Sequence, residues 1–227
     1  MRTLFFGLIV AAMAGTPALA APDPAGDLLG SFTDGKDPSL DFSSLDIVSA
    51  SVAFDGTDFR LRATTTSPIG LAGSLYVFGI NRGAGTPRLT FGSPPIGAGV
   101  LWDAVAILFP DGTGRVVTFP QAGAPTITTL PGVVTVAGDT IRGVFSAGLL
   151  PGRADAPGVH PEDYTFTLWS RLRVNPSADG TNAEIADFAS IGTPTVPEPA
   201  SWALMLGGFG AIGGALRSRR RTAVRFG

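Results

Sequence analysis

The sequence predicts an all-β protein, an antiparallel sandwich for which a jelly-roll is the first choice. Three observations lead there. Short runs of alternating apolar and polar residues recur along the chain, as strands with one buried face require. Asp-Gly turns separate several of them. The 31 glycines and 19 prolines among 227 residues oppose long helices. The first run, 47–54, mixes alternation with β-branched residues. The run 59–64 alternates cleanly, and Asp55-Gly56-Thr57-Asp58 between them predicts a hairpin. Further strands are expected at 75–80, 104–109, 115–119, 133–137, 140–145 and 164–174, with turns at 111–114 and at Gly138-Asp139. In the last run Tyr164, Phe166 and Leu168 share a face, and Trp169-Ser170 disturbs the pattern. No internal repeat suggests a solenoid.

Both chain ends read as targeting segments, leaving 21–195 as one β-sandwich domain of unassigned function. Arg2, the apolar stretch 4–14 and the small-x-small sequence Ala18-Leu19-Ala20 predict a secretory signal peptide over 1–20. Passage through the Sec translocon and cleavage by signal peptidase would start the mature chain near Ala21. The sequence has no cysteine, which excludes disulfides and thiolate metal sites without opposing export. Charge is unevenly spread. Between Asp23 and Glu198 lie all 18 acidic residues and ten of the 16 basic ones, a net charge of −8. The other six are Arg2, Arg217, Arg219, Arg220, Arg221 and Arg225. So acidic a body repels phosphate backbones, so nucleic acid is not an expected partner.

The C-terminus is the most informative stretch. Val196-Pro197-Glu198-Pro199 cannot continue a helix at its prolines and stays extended, as a peptide entering a cleft must. The uncharged segment 202–216 follows, about 22 Å long as a helix, which is short for a membrane span. Arg217, Arg219, Arg220 and Arg221 then stop it on the cytoplasmic side, placing the body outside. Residues 222–227 complete a short cytoplasmic end. Gly208-Phe-Gly210-Ala-Ile-Gly213 matches a dinucleotide fingerprint, but no strand precedes it and no βαβ unit surrounds it.

In this order of parts the tail resembles the PEP-CTERM sorting signal of Gram-negative bacteria that make extracellular polysaccharide. The resemblance covers about 30 residues and is carried by Pro197, Glu198 and Pro199, the Gly-rich apolar segment and the arginine cluster. It implies an exosortase as partner, a membrane enzyme that cleaves near the motif. It also implies transient anchoring in the inner membrane with the body in the periplasm, then a cell-surface or extracellular location. The start of the body is similar, over about 40 residues, to DOMON-like and family-9 carbohydrate-binding sandwiches. The residues concerned are Asp23-Pro-Ala-Gly-Asp27, the Gly/Asp stretch 30–38, Leu45-Asp46-Ile47 and Phe54-Asp55-Gly56. That resemblance implies a bound sugar or a structural calcium, with Asp23, Asp27 and Asp46 carried over as ligands. The same aspartates would also serve as turn caps.

Little else carries chemistry. The single histidine, His160, lies between Pro157 and Pro161; it is either a general base beside carboxylates or a polar loop residue. There is no G-x-S-x-G elbow, and Asp34, Asp37 and Asp41 lack EF-hand spacing. No catalytic residue is assigned and no motif requires a cofactor. Trp102, Trp169, Tyr76 and Tyr164 would stack on sugars if exposed and form core if buried. The expectation is a non-enzymatic surface or matrix protein, sorted by an exosortase and bound to exopolysaccharide or calcium. The alternative is an exported polysaccharide-active enzyme.

Overall fold

The computed structural model describes residues 21–33, 36, 39–87, 100–120, 122–173 and 184–195. The chain divides into two units, Met1–Val196 and Pro197–Gly227, and every described residue belongs to the first. The predicted signal peptide, Val196, Pro197, Glu198 and Pro199, the apolar segment, Arg217, Arg219, Arg220 and Arg221 and the cytoplasmic end lie outside the described residues.

In chain order the strands are β1 (Ala21–Pro22), β2 (Ile47–Phe54), β3 (Asp58–Thr65), β4 (Ser74–Asn81), β5 (Thr86–Pro87), β6 (Leu101–Trp102) and β7 (Ala104–Leu108). They continue as β8 (Gly114–Thr118), β9 (Thr126–Leu130), β10 (Val134–Ala137), β11 (Thr140–Ser146), β12 (Thr165–Leu172) and β13 (Glu184–Gly192). A single helical turn, α1 (Gly30–Thr33), lies between β1 and β2. The eight expected strands are all present, as β2, β3, β4, β7, β8, β10, β11 and β12. Two antiparallel sheets form, ordered β1-β2-β3-β11-β10 and β13-β12-β4-β7-β8-β9, with β5-β6 as a separate ribbon.

This order corrects the jelly-roll expectation. A jelly-roll sends consecutive strands to opposite sheets, whereas here the Asp-Gly turns join neighbours within a sheet. β2-β3, β7-β8, β8-β9 and β10-β11 are all consecutive antiparallel pairs. The chain changes sheets between β3 and β4, β9 and β10, and β11 and β12. Taking β2, β3, β10 and β11 as strands A, B, D and E, the order is that of a variable-type immunoglobulin sandwich with two extra edge strands, β1 and β9. Thr195 adds a parallel bridge to Ala53 beside β1, so both ends of the described body meet on β2.

The two inner faces form the main core. From the first sheet come Val52, Phe59, Leu61, Ile141 and Phe145, and from the second Tyr76, Phe78, Ile80, Leu108, Phe166 and Leu168. At Gly143 an added Cβ would overlap the Leu108 side chain from the opposite sheet, so this inward position of β11 has no room for one. Tyr164, just before β12, is fully buried and its hydroxyl donates to Leu150 O at 3.1 Å. Like the tyrosine corner of immunoglobulin-type sandwiches, it ties the start of this strand to the chain before it, although its acceptor lies fourteen residues upstream.

The outer face of the second sheet is apolar as well. Leu75, Val77, Val105, Phe109, Val117 and Trp169 are buried there, with Trp102 packed against Trp169 and Phe119. This resolves the disturbed pattern in β12. Alternation continues through it, with Ser170 inward, its hydroxyl donating to Leu45 O at 2.5 Å, and Trp169 outward. At Gly79, the diagonal neighbour on β4, a Cβ would stand 2.6 Å from the Trp169 ring, so only glycine lets the indole lie across the strand.

A buried ion network joins the long connection after β11 to the second sheet. Arg82 Nε meets Asp103 Oδ1 at 2.7 Å, and Arg82 Nη1 donates to Pro151 O at 2.9 Å. Arg153 approaches the other Asp103 oxygen at 3.6 Å, pairs with Asp155 at 2.7 Å and donates to Phe119 O at 2.9 Å.

Candidate metal centre and arginine face

Two of the three aspartates singled out in the sequence come together, and a third joins them from the far end of the body. Asp23 N donates to Val48 O at 3.0 Å, which lays the chain after β1 along β2. The turn that follows brings Asp27 back, and Leu29 N bonds Ala186 O of β13 at 2.9 Å. Asp187 stands on β13 directly opposite the inward Ser170, and is therefore directed between the sheets. One carboxylate oxygen from each of Asp23, Asp27 and Asp187 lies within 4.8 Å of the other two.

Asp46, at the entry to β2, borders this group. Its Oδ2 accepts from Gly26 N at 2.8 Å and from Thr66 Oγ1 at 2.5 Å. Its Oδ1 and the Asp23 Oδ2 are both buried without a hydrogen-bond partner. Asp187 accepts from Ile47 N and Phe188 N, each at 2.7 Å. Burial, opposed by those two bonds and reinforced by Asp27 and Asp23, pushes the Asp187 carboxyl up to about 7. Burial, with Asp27 and Asp46 nearby, pushes Asp23 up to about 6. Burial also raises Asp27. The ion pairs among the described residues involve none of these four acids.

Asp187 was not found from sequence. β13 reads Glu-Ile-Ala-Asp-Phe-Ala-Ser-Ile-Gly, and a register shift opposite Ser170 and Arg171 breaks its period. The one visible signal is a carboxylate inside an otherwise apolar run. Capping does occur at other aspartates: Asp41 accepts from Ser43 N, Asp55 from Thr57 N and Asp58 N, and Asp111 from Thr113 N. The cluster acids differ from these in their mutual repulsion, and Asp46 and Asp187 also in being buried.

The remaining candidates fall elsewhere. His160 precedes the 3-10 turn Pro161–Asp163, where its backbone N–H donates to Asp163 Oδ2 at 3.1 Å. Tyr76, Tyr164 and Trp169 are buried and offer no ring face to a sugar; Trp102 is half-buried. On the outer face of the first sheet, Arg62 of β3 is directly opposite Arg142 of β11, and Arg60 lies one step along, paired with Asp55 at 2.8 Å. A shallow groove of about 270 Å³ runs between these arginines and Ser51 and Ala53 of β2. Like charges placed directly opposite on a sheet repel, and an anion laid across them would relieve the repulsion.

From the last described residue onward the chain matches a known sorting motif. Residues 195–221 match the model of the PEP-CTERM protein-sorting motif. The chain carries a PEP-CTERM sorting motif. That motif marks an exported protein handled by an exosortase, and it contains the expected Pro197, Glu198 and Pro199. Its first matched residue, Thr195, is already built into the sandwich, donating to Val52 O at 2.9 Å and accepting from Phe54 N at 3.0 Å. No curated protein and no solved structure matches the chain.

Proposed function

We propose that this PEP-CTERM protein is a non-enzymatic surface or matrix component whose sandwich touches acidic exopolysaccharide. In this reading it leaves by the Sec route and loses residues 1–20 to signal peptidase. It pauses in the inner membrane through 202–216 and passes to an exosortase by way of Val196, Pro197, Glu198 and Pro199. The arginines Arg217, Arg219, Arg220 and Arg221 hold the tail on the cytoplasmic side until it is processed. The observation that carries the sorting step is the match over 195–221. Replacing Pro197, Glu198 and Pro199 together by alanine, in a host with an exosortase, should leave the full-length chain in the inner membrane. The wild type should appear at the surface as a shorter form. Fractionation and immunoblotting read the difference, and equal processing of both chains would remove the motif's role.

The polysaccharide contact is supported by the opposed Arg62 and Arg142. Guanidinium groups pair well with carboxylates of uronic acids, and exposed pairs of this kind weaken with salt. The double substitution Arg62→Ser, Arg142→Ser should abolish retardation of the protein in native gels containing a polyuronate, while a neutral glucan retards neither form. Equal retardation of both proteins by the polyuronate would exclude this face.

A further inference from the structure

We propose that the free edge of β9 docks onto β9 of a second copy of this chain, joining two six-stranded sheets into one. The edge is open. β9 pairs with β8 on one side and with no described strand on the other. Ile127 is 62% exposed, and Thr126 and Thr129 are exposed beside it. Edge strands are ordinarily blunted by a charge or a bulge. β9 runs against β8 without a register shift, and residues 116–138 carry no charged side chain at all.

The ladder fixes which backbone groups face that edge. Phe109 N donates to Thr113 O and Phe119 N to Asp103 O, so the odd-numbered residues of β8 bond to β7 and the even ones to β9. Gly132 N, donating to Gly112 O, carries the same alternation past the end of β9. Thr126, Thr128 and Leu130 therefore bond back to β8, and the N–H and C=O groups of Ile127 and Thr129 point outward. Pro125 and Pro131, next in that outward series, bring no N–H. An antiparallel partner centred on Thr128 sets Ile127 against Thr129 of the second copy, and Thr129 against its Ile127. Each of these pairs exchanges both bonds, so both outward N–H groups of each copy are met.

Charge selects the occupant. The body between Asp23 and Glu198 carries a net charge of −8 and resists its own copies wherever acids meet. β13, at the other edge of the same sheet, carries Glu184 and Asp187. At β9 two copies meet with no acid on either strand. The sequence Thr-Ile-Thr-Thr-Leu also suits itself, since it places threonine opposite threonine at the centre, a favourable cross-strand pair. The two-fold axis stands perpendicular to the sheet, so both copies turn their Arg62–Arg142 faces to the same side. Only this last consequence rests on the polysaccharide reading.

The native chain has no cysteine, so a single introduced thiol reports contacts between copies alone. Thr128→Cys in the full-length chain puts two thiols at the axis, in a pair without hydrogen bonds whose Cα atoms stand about 4.5 Å apart. That separation lies within disulfide reach. Mild oxidation should give a linked dimer on non-reducing gels, while Thr57→Cys, exposed at the β2–β3 turn, gives roughly tenfold less. Ile127→Pro removes an outward donor from each copy, and the fold tolerates it because the lost N–H faces solvent. Added to Thr128→Cys, it should cut the dimer roughly tenfold, as expected for two lost bonds. Without any cysteine, the sedimentation coefficient of the wild type should rise with concentration more steeply than that of Ile127→Pro. Equal linking at 128 and 57, linking that survives Ile127→Pro, capture of another protein in place of a second copy, or identical sedimentation of the wild type and Ile127→Pro would each overturn the proposal.

Discussion

Asp103→Ala should lower the unfolding free energy by about 3–5 kcal/mol, measured by chemical denaturation. Asp103 and Arg82 are each 4% exposed, so the substitution strips a buried guanidinium of the carboxylate it touches and leaves only the more distant Asp155 to oppose its charge. The loss spreads. Both Asp103 oxygens also receive Arg82 N, at 3.3 and 3.4 Å, and the second faces Arg153. Arg82 in turn holds Pro151, and Arg153 holds Phe119 O, so the connection between β11 and β12 loses its attachment to the second sheet. The companion variant Arg82→Met, Asp103→Leu should recover much of the loss, because it removes both charges instead of stranding one. A loss below about 1 kcal/mol for Asp103→Ala would show that water reaches Arg82 and that the network is not sealed.

The second large effect is on pH. Freed of divalent cations, the protein should lose stability as pH rises from about 4 to about 7, by about 4 kcal/mol from Asp187. The sign follows from the direction of the shift. Asp187 titrates near 3.8 when unfolded and near 7 when folded, so between those values the folded state holds a proton that the unfolded state has released. Its stabilising contribution is complete below the unfolded value and gone above the folded one. Asp23, raised to about 6, acts in the same direction. Asp55, held down to about 2 chiefly by Asp58 N, Arg60 and Thr57 N, shifts the balance the other way only below about pH 4. Asp23 and Asp27 are the acids facing this group, and the N–H groups of Ile47 and Phe188 are its donors. Asp187→Asn should flatten the slope in denaturation curves taken across this range. A metal-free wild type that gains stability from pH 4 to pH 7 would refute the assignment.

The hairpins were legible because each combines a clean period of two with a turn that chemistry marks, as at Asp55–Asp58 and Gly138-Asp139. Their order in the sheets was less so. The jelly-roll expectation failed although the turns that contradict it were visible, since a tight Asp-Gly turn already commits two strands to one sheet. β9, with the sequence Thr-Ile-Thr-Thr-Leu, is an edge strand whose Ile127 is 62% exposed, so it lacks the apolar alternation that reveals buried strands. β13 was hidden for the opposite reason. Its Ile185 and Phe188 pack on the outer cluster while Ala189 serves the inner core, so both faces are apolar and no single face stands out. The sorting motif was fully legible because its recognition is linear. Asp187 was not, because its meaning depends on which distant residues the fold brings beside it.

Thr195 is both the end of the sandwich and the first residue of the sorting match. Only Val196 separates it from the first proline of the motif. A cut anywhere past Thr195 therefore severs no ladder bond of the described body. Trimming the tail by an exosortase then asks nothing of the sheets: the described strands keep all their partners before and after the cut.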